Sequence, residues 1–345
     1  MLREVTNQAD WADKTMSIMR EKQFMACEKR LSAHGSRNLF SSAMTNSDVQ
    51  ALLESSYYME ETAGVLLSLE DLRRKVMEQL PAEVTVLSSG EVSLLERLLI
   101  AKGRINLGEW DDVGAAEALV SRLWCSLHMS EEEWVLELPW ALHEPILRAM
   151  STREYTRTRE LLFRFEAMVM GLLYITGFLY GSQPIYVFTR EVMGRDDPLA
   201  ACLARRHLKS AFEYMTDGFH GLILLHPGLA DPYRLISAIN REEAYVLELS
   251  QEMIAGGMNG LFAEEEPLYD AMCCALDGFL RPEYEVAEAT EDLRMLAKQG
   301  VSLDEMEVVM ASMLCMLPTQ AMKQALRNLR QCTPHWIGLK AELSC

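Results

Sequence analysis

The chain of 345 residues is long enough to bury more than one hydrophobic core, with 49% hydrophobic and 24% charged residues. This composition excludes general disorder and predicts two or three cooperative globular units. The net charge of −18 disfavours general affinity for nucleic acids or anionic membranes, because those surfaces repel an acidic protein before contact. A local basic patch is still compatible with this net charge.

The first 150 residues are predicted to form a helical lobe at 1–87 and a small helical module at 88–150. In the lobe, Pro81 is expected to end a helix that starts near residue 69, since proline lacks the amide hydrogen of a helix interior. In the small module, the alternating sequence WVLELP at 134–139 predicts a short strand.

Helix starts are marked by serines that are followed three residues later by glutamate. The serine hydroxyl and the glutamate carboxylate can each accept a hydrogen bond from a free amide of the first turn. Four such capping boxes are predicted, beginning at Ser88, Ser130, Ser151 and Ser302.

An uncharged run of fifteen residues lies in the middle of the chain, from Ala167 to Gly181. It is shorter than the about 20 apolar residues that a membrane-spanning helix needs. Its large apolar residues recur with a helical period, so we expect a buried core helix rather than a membrane span. This helix begins a third module, predicted at 151–230.

The third module contains the core helix, a short helix from Pro184, a helix at 199–215 and a β element within TDGFHGLILLHPG. This order of three helices followed by a β element resembles a winged-helix module, and residues 88–150 are a weaker match to the same plan. The resemblance implies that the third helix enters a nucleic-acid groove or, in protein-binding versions, contacts a partner. That helix carries Arg205, Arg206, His207 and Lys209.

The fourth module, at 231–345, is predicted to be wholly helical because its only breaks are at glycines and prolines. One of its helices carries methionines at spacings of 4, 3 and 3 residues, which places them on one face. Their flexible side chains could line a groove for a partner's helix, whereas the same spacing also fits core packing. The predicted partner-binding residues are Met306, Met310, Met313 and Met316.

Charge is segregated along the chain. Residues 242–305 contain sixteen acidic residues against three basic ones, whereas residues 148–209 contain ten basic residues against six acidic ones. The basic section could meet a polyanion while the acidic section shields it or binds a basic protein. The alternative is that both sections are solvated helix faces.

Neither a metal site nor a cofactor is predicted. His220 and His226 would face the same side of a strand, but about 20 Å apart, which is too far to share one ion. The eight cysteines lack a C-x-x-C pair, and the first fourteen residues lack an apolar signal region, so we expect reduced thiols in a cytoplasmic protein. Common hydrolase, protease and nucleotide-binding motifs are absent from the sequence.

These features predict a mainly α, multi-lobed protein with one or two short β elements and a winged-helix-like middle section. We expect a non-enzymatic interaction or regulatory protein whose partner is another protein. A nucleic-acid-binding regulator that acts through Arg205, Arg206 and Lys209 is the alternative. A further alternative is an enzyme that uses His220 or His226 and has no recognisable motif.

Overall fold

The computed structural model describes residues 38–54, 56–58, 67–107, 111–130, 133–189, 198–218, 221–229, 232–233 and 266–336. Within these ranges the protein has twelve α-helices and two small sheets of three strands each, which confirms the predicted mainly α fold. Residues 1–30 of the predicted N-terminal lobe and residues 243–255 of the predicted fourth module lie outside the described residues.

Five helices and one sheet form the part of the described chain before residue 151. The helices are α1 (Val49–Glu54), α2 (Leu69–Val86), α3 (Ser89–Ile100), α4 (Asp111–Ser121) and α5 (Trp140–Met150). The strands are β1 (Arg104–Leu107), β2 (Ser126–Ser130) and β3 (Glu133–Glu137).

Seven helices and the second sheet follow. The helices are α6 (Arg153–Thr176), α7 (Ser182–Val187), α8 (Pro198–Ala211), α9 (Glu266–Leu276), α10 (Val286–Lys298), α11 (Leu303–Met313) and α12 (Gln320–Cys332). The strands are β4 (Phe178–Tyr180), β5 (Tyr214–Asp217) and β6 (Gly221–Leu225). None of the helices in the described ranges has the length and apolar character needed to cross a membrane.

Contacts divide the chain into two compact units. Unit 1 comprises residues 1–21, 167–184 and 212–345, and unit 2 comprises residues 22–166 and 185–211. The division passes through α6, whose first part belongs to unit 2 and whose last part belongs to unit 1. The four modules predicted with boundaries at 87, 150 and 230 stay a prediction.

The two sheets share one topology. Each is antiparallel, and its last strand lies in the middle, giving the orders β1-β3-β2 and β4-β6-β5. In each case a helix leads directly into the first strand, at least one further helix follows, and the last two strands form a hairpin.

The connection from helix to strand is also the same in both sheets. Gly103 and Gly177 have positive φ values of 91° and 76°, a conformation that glycine adopts without a Cβ clash. The carbonyl of Gly103 accepts a hydrogen bond from Leu138 N at 2.8 Å, and that of Gly177 accepts one from His226 N at 2.9 Å. The chain therefore uses one local design twice.

Gly177 also corrects the prediction for the uncharged run. The core helix was expected to continue to Gly181, but α6 ends at Thr176, and Phe178–Tyr180 is strand β4. Leu173 and Phe178 are buried all the same. Apolar content therefore identified the core, whereas the positive φ at one glycine decided where the helix ends.

The prediction that Pro81 ends a helix is wrong, because α2 continues through Pro81 to Val86. Leu80 and Val84 on either side of the proline are fully buried. Their packing offsets the loss of one backbone hydrogen bond.

Two of the four predicted capping boxes are confirmed. At Ser88 and Ser302 the hydroxyl accepts a hydrogen bond from the amide three residues later, and a glutamate completes the box. Ser130 instead ends β2. The start of α6 is capped by Thr152, whose hydroxyl accepts a hydrogen bond from Tyr155 N at 3.1 Å, and not by Ser151.

Each unit has its own apolar core. In unit 2, helices α2 to α5 and the first sheet pack around Leu95, Leu119, Trp124 and Leu142. In unit 1, helices α9 to α12 pack together around Leu276, Leu293 and Leu326. The strand predicted at 134–139 is confirmed as β3, the central strand of the first sheet.

Candidate interaction surface

Helix α8 occupies the place of the third helix in the winged-helix order, and it is strongly amphipathic. Ala200, Ala204, His207 and Leu208 are buried in the protein. At about 100° of rotation per residue these four positions share one face of the helix. The exposed positions of the opposite face are Pro198, Leu199, Cys202, Arg205 and Lys209.

A buried ionic network in unit 2 involves one flank of α8. Its centre is Arg122, at the end of α4, which is 3% exposed. Arg122 Nη1 donates to Glu91 Oε1 at 2.8 Å, and Arg122 Nη2 donates to Ser210 Oγ at 2.7 Å. The Ser210 hydroxyl in turn donates to Glu91 Oε2 at 2.6 Å. Ser210 therefore connects α8 to α3.

A second acid completes the network. Glu83 of α2 is 3% exposed, and its carboxylate accepts a hydrogen bond from Arg206 Nη2. The other oxygen, Oε2, lies 3.7 Å from Arg122 Nε. Two arginines and two glutamates thus face one another inside unit 2, so their formal charges balance.

The network keeps its arginines charged. Burial alone would lower the pKa of Arg122, but the carboxylates of Glu91 and Glu83 outweigh burial and raise it. Burial would likewise lower the pKa of Arg206, and Glu83 and Tyr57 raise it. The Tyr57 ring lies 5.3 Å from the Arg122 guanidinium carbon, a cation–π distance.

His207 fixes the inner face of α8 at a second point. Its ring is fully buried, and Nδ1 lies 3.1 Å from Val86 O at the end of α2, so Nδ1 is the donor. Nε2 lies 3.2 Å from Glu166 Oε2. The same Glu166 oxygen accepts a hydrogen bond from Ser89 N at 3.0 Å, which places a carboxylate at the start of α3.

The structure separates the three residues of the predicted nucleic-acid site. Arg206 is bonded to Glu83 inside unit 2, while Arg205 and Lys209 are exposed. Sequence alone could not distinguish these neighbours, because both flanks of an amphipathic helix carry charge. The exposed arginines of the first part of α6, in the same unit, are Arg153, Arg157 and Arg164.

The methionine stripe lies mostly in the core of unit 1. Met306, Met310 and Met313 are fully buried among the helices of the four-helix cluster, and only Met316 is exposed. The three buried residues present no surface to a partner, so the core-packing alternative describes them. Their helical spacing was compatible with both interpretations, and burial by α9, α10 and α12 decides between them.

His226 is half-buried in unit 1. Its ring centroid lies 4.9 Å from that of Trp336, and its Nδ1 accepts a hydrogen bond from Gly228 N. Burial first, and then the positive charges of Lys298 and Arg294, lower the pKa of His226 to about 4. His220 lies outside the described residues, which contain no group of three potential metal ligands.

A cleft of about 350 Å³ opens on unit 2 beside α3 and α6. Arg159 lines it and forms an ion pair with Glu96 at 3.1 Å. The Arg159 guanidinium also lies 5.3 Å from the Tyr155 ring. The principal cation and one carboxylate of this cleft therefore bind each other.

The buried network was missed in the sequence, although a signal was present. Glu83 and Glu91 occur at positions where the apolar period of their helices predicts core residues, and Arg122 immediately precedes a buried Leu-Trp pair. A charged residue on a core face needs a partner of opposite charge. No protein family, curated protein or solved structure was found to match this chain.

Proposed function

We propose that the protein acts by binding another protein, through a winged-helix-like arrangement in which α8 supplies part of the contact surface. The element order from α6 to β6, with the last strand in the middle of its sheet, supports this type of module. The observation that favours a protein partner is that α8 already binds other helices of the same unit. Its inner face and one flank are hydrogen-bonded to α2 and α3, and to Arg122 directly after α4.

Nucleic-acid recognition through α8 would require more of the helix to be free. A helix with its side chains is about 10–12 Å wide and fills the major groove, which is about 12 Å wide. The exposed residues of α8 cover only about a third of its circumference. Such a stripe suits lateral packing against a protein surface, where one face of a helix is sufficient.

The test is an affinity capture from lysate with the full chain as bait, with and without nuclease, at low and moderate salt. The proposal predicts a protein that remains bound after nuclease treatment. Nucleic acid recovered only without nuclease and only at low salt would contradict it. In that case Arg153, Arg157 and Arg164 would be the first residues to substitute.

A charge-reversed bait supplies the matched comparison. Arg205→Glu with Lys209→Glu changes two exposed residues on α8, and Arg74→Glu with Arg327→Glu changes the net charge equally at exposed positions elsewhere. The proposal predicts that only the α8 variant loses the captured protein. Equal losses from both baits would indicate a general charge effect and remove the site.

A further inference from the structure

Two contacts between α3 and α6 border the cleft of unit 2. Near the end of α3, Glu96 Oε1 lies 3.1 Å from Arg159 Nη1. At the start of α3, Ser89 N donates to Glu166 Oε2 at 3.0 Å. The later residue of α3 contacts the earlier residue of α6, so the two helices run antiparallel along the cleft. Both walls are therefore held in place before any partner binds, which reduces the entropy cost of association.

The cleft combines apolar walls with small side chains. Val92 of α3 and Phe163 of α6 contribute apolar lining. Ser89 and Ser93, one turn apart on α3, leave space between the helices because serine is small. The volume of about 350 Å³ lies at the lower end of the range of about 300–1,000 Å³ that is typical of ligand pockets. A cleft of this size and lining suits one inserted apolar side chain.

A row of exposed cations lies beside the cleft. Arg153, Arg157 and Arg164 are exposed on α6, and at about 100° of rotation per residue they lie within about 40° of one another. In the described part of the chain, none of the three guanidinium groups has an ion pair, a hydrogen bond or a ring contact. We call these three arginines the basic face. Glu160, which lines the cleft, lies on the same side of α6.

Charge complementarity favours an acidic protein segment as the occupant. The basic face stands out in a chain with a net charge of −18, and it attracts carboxylates. A nucleic acid fits less well, because Glu160 lies among the arginines and repels a backbone in which every phosphate is charged. A peptide can place its carboxylates on the arginines and avoid Glu160. It also supplies an apolar side chain for the cleft.

We propose that the cleft and the basic face together bind an acidic segment of a protein partner. An apolar anchor residue of that segment enters the cleft against Val92 and Phe163. Carboxylates next to the anchor pair with Arg157 and Arg164 through charge-assisted hydrogen bonds. Interface hot spots are commonly large side chains that fill such a pocket. This inference rests on the proposed function and adds a second contact surface, on α6, with the chemistry of its ligand.

The test is photo-crosslinking in cells from the full chain with p-benzoylphenylalanine in place of Thr156, an exposed residue on the cleft side of α6. The crosslinked peptide is identified by mass spectrometry, and we expect it to have a net negative charge. The adduct yield should fall about tenfold after Arg157→Glu with Arg164→Glu, since attractions become repulsions. It should fall similarly after Ser93→Trp, because the indole fills the cleft.

Two matched variants should retain the yield. Ala321→Trp places the same ring at an exposed helical position of unit 1, and Arg74→Glu with Arg327→Glu changes the net charge equally at exposed positions elsewhere. Chemical denaturation checks that each variant is folded. The charge reversal on α6 changes only exposed residues, so it decides the outcome if Ser93→Trp does not fold.

The possible failures are distinguishable. A protein that survives nuclease treatment in the affinity capture, but gives no adduct at position 156, leaves the proposed function standing and overturns this site. A neutral or basic crosslinked peptide, or a yield insensitive to the charge reversal, overturns the acidic partner, as does an adduct that nuclease removes. A yield unchanged in folded Ser93→Trp overturns the anchor in the cleft. Absence of any nuclease-resistant protein partner removes the proposed function itself.

Discussion

The buried arginine at position 122 shows how strongly a single residue can depend on its neighbours. Its guanidinium is bonded to Glu91 and Ser210 and lies near Glu83, all within unit 2. Arg122→Met would leave two buried carboxylates with less compensation, and we expect it to lower the free energy of unfolding by about 3–5 kcal/mol. Chemical denaturation measures this change.

The exposed ion pair between Arg148 and Glu144 is the matched control for that substitution. Both side chains are largely in water, where such pairs contribute little. Arg148→Met should therefore change the free energy of unfolding by about 0.5 kcal/mol or less. A similar small effect of Arg122→Met would mean that the network is not a stabilising unit.

The lowered pKa of His226 predicts a specific pH dependence of the free energy of unfolding. Its pKa falls from 6.5 to about 4 in the folded protein, so between these values the unfolded chain binds more protons than the folded chain. The free energy of unfolding therefore decreases as pH falls from 6.5 to 4, by up to about 3 kcal/mol from this residue alone. Above pH 6.5 the contribution is constant.

The variant His226→Phe should weaken that dependence, because the phenylalanine ring does not titrate. Chemical denaturation at several pH values, compared with the native chain, isolates the contribution of His226 from that of the carboxyl groups. Identical slopes for the native chain and His226→Phe would contradict the burial of a neutral imidazole.

At the scale of elements, the two helix-to-strand connections are the most constrained points of the fold. Gly103 has a φ of 91°, and an added Cβ would lie 2.7 Å from the backbone oxygen of Leu138. We expect Gly103→Ala to lower the free energy of unfolding by about 2 kcal/mol or more, through both strain and overlap. Thermal or chemical denaturation checks this value.

Gly90 in the first turn of α3 is the corresponding control. An added Cβ there meets no atom within 4 Å. Gly90→Ala should leave the protein equally stable or slightly more stable, because alanine favours the helix. If both alanine variants behaved alike, the constraint assigned to Gly103 would be absent.

How far the sequence predicts these elements depends on the signal involved. Breaks at glycines and prolines separated the helices α9 to α12, and alternation of apolar and polar residues located β3. Strands β1, β2, β4 and β5 were missed, since three to five residues carry too short a pattern and β4 continues an apolar helix. Tertiary pairing with the central strands defines them.

The sequence also could not predict which charged residues of α8 bind inside the protein and which are exposed. Arg205 and Arg206 are adjacent and chemically identical, and only the position of Glu83 makes one internal and the other external. The same applies to the methionines, where packing in unit 1 buries Met306, Met310 and Met313 and leaves Met316 exposed. The sequence indicated the candidate site residues, and their neighbours in the fold determine which of them are buried.

At the scale of the whole molecule, residues 242–305 contain sixteen acidic residues against three basic ones, whereas residues 148–209 carry excess positive charge. In unit 2 part of that positive charge is used internally, at Arg159 and Arg206. Arg205 and Lys209 of α8 are exposed, on a helix that the network holds in place. This combination of internal anchoring and external charge is the basis of the proposed role in protein binding.

The central claim is that α8 has a structural inner face and a partner-binding outer face. It is tested most directly by measuring, for two variants, both the free energy of unfolding and the capture of the nuclease-resistant protein partner. Arg206→Met should lower the free energy of unfolding by about 1–3 kcal/mol and, at a temperature where it remains folded, retain capture. Arg205→Glu with Lys209→Glu should keep the stability within about 0.5 kcal/mol and lose capture. The reverse pattern, with capture lost in the folded Arg206→Met variant and retained after the double reversal, would contradict the account.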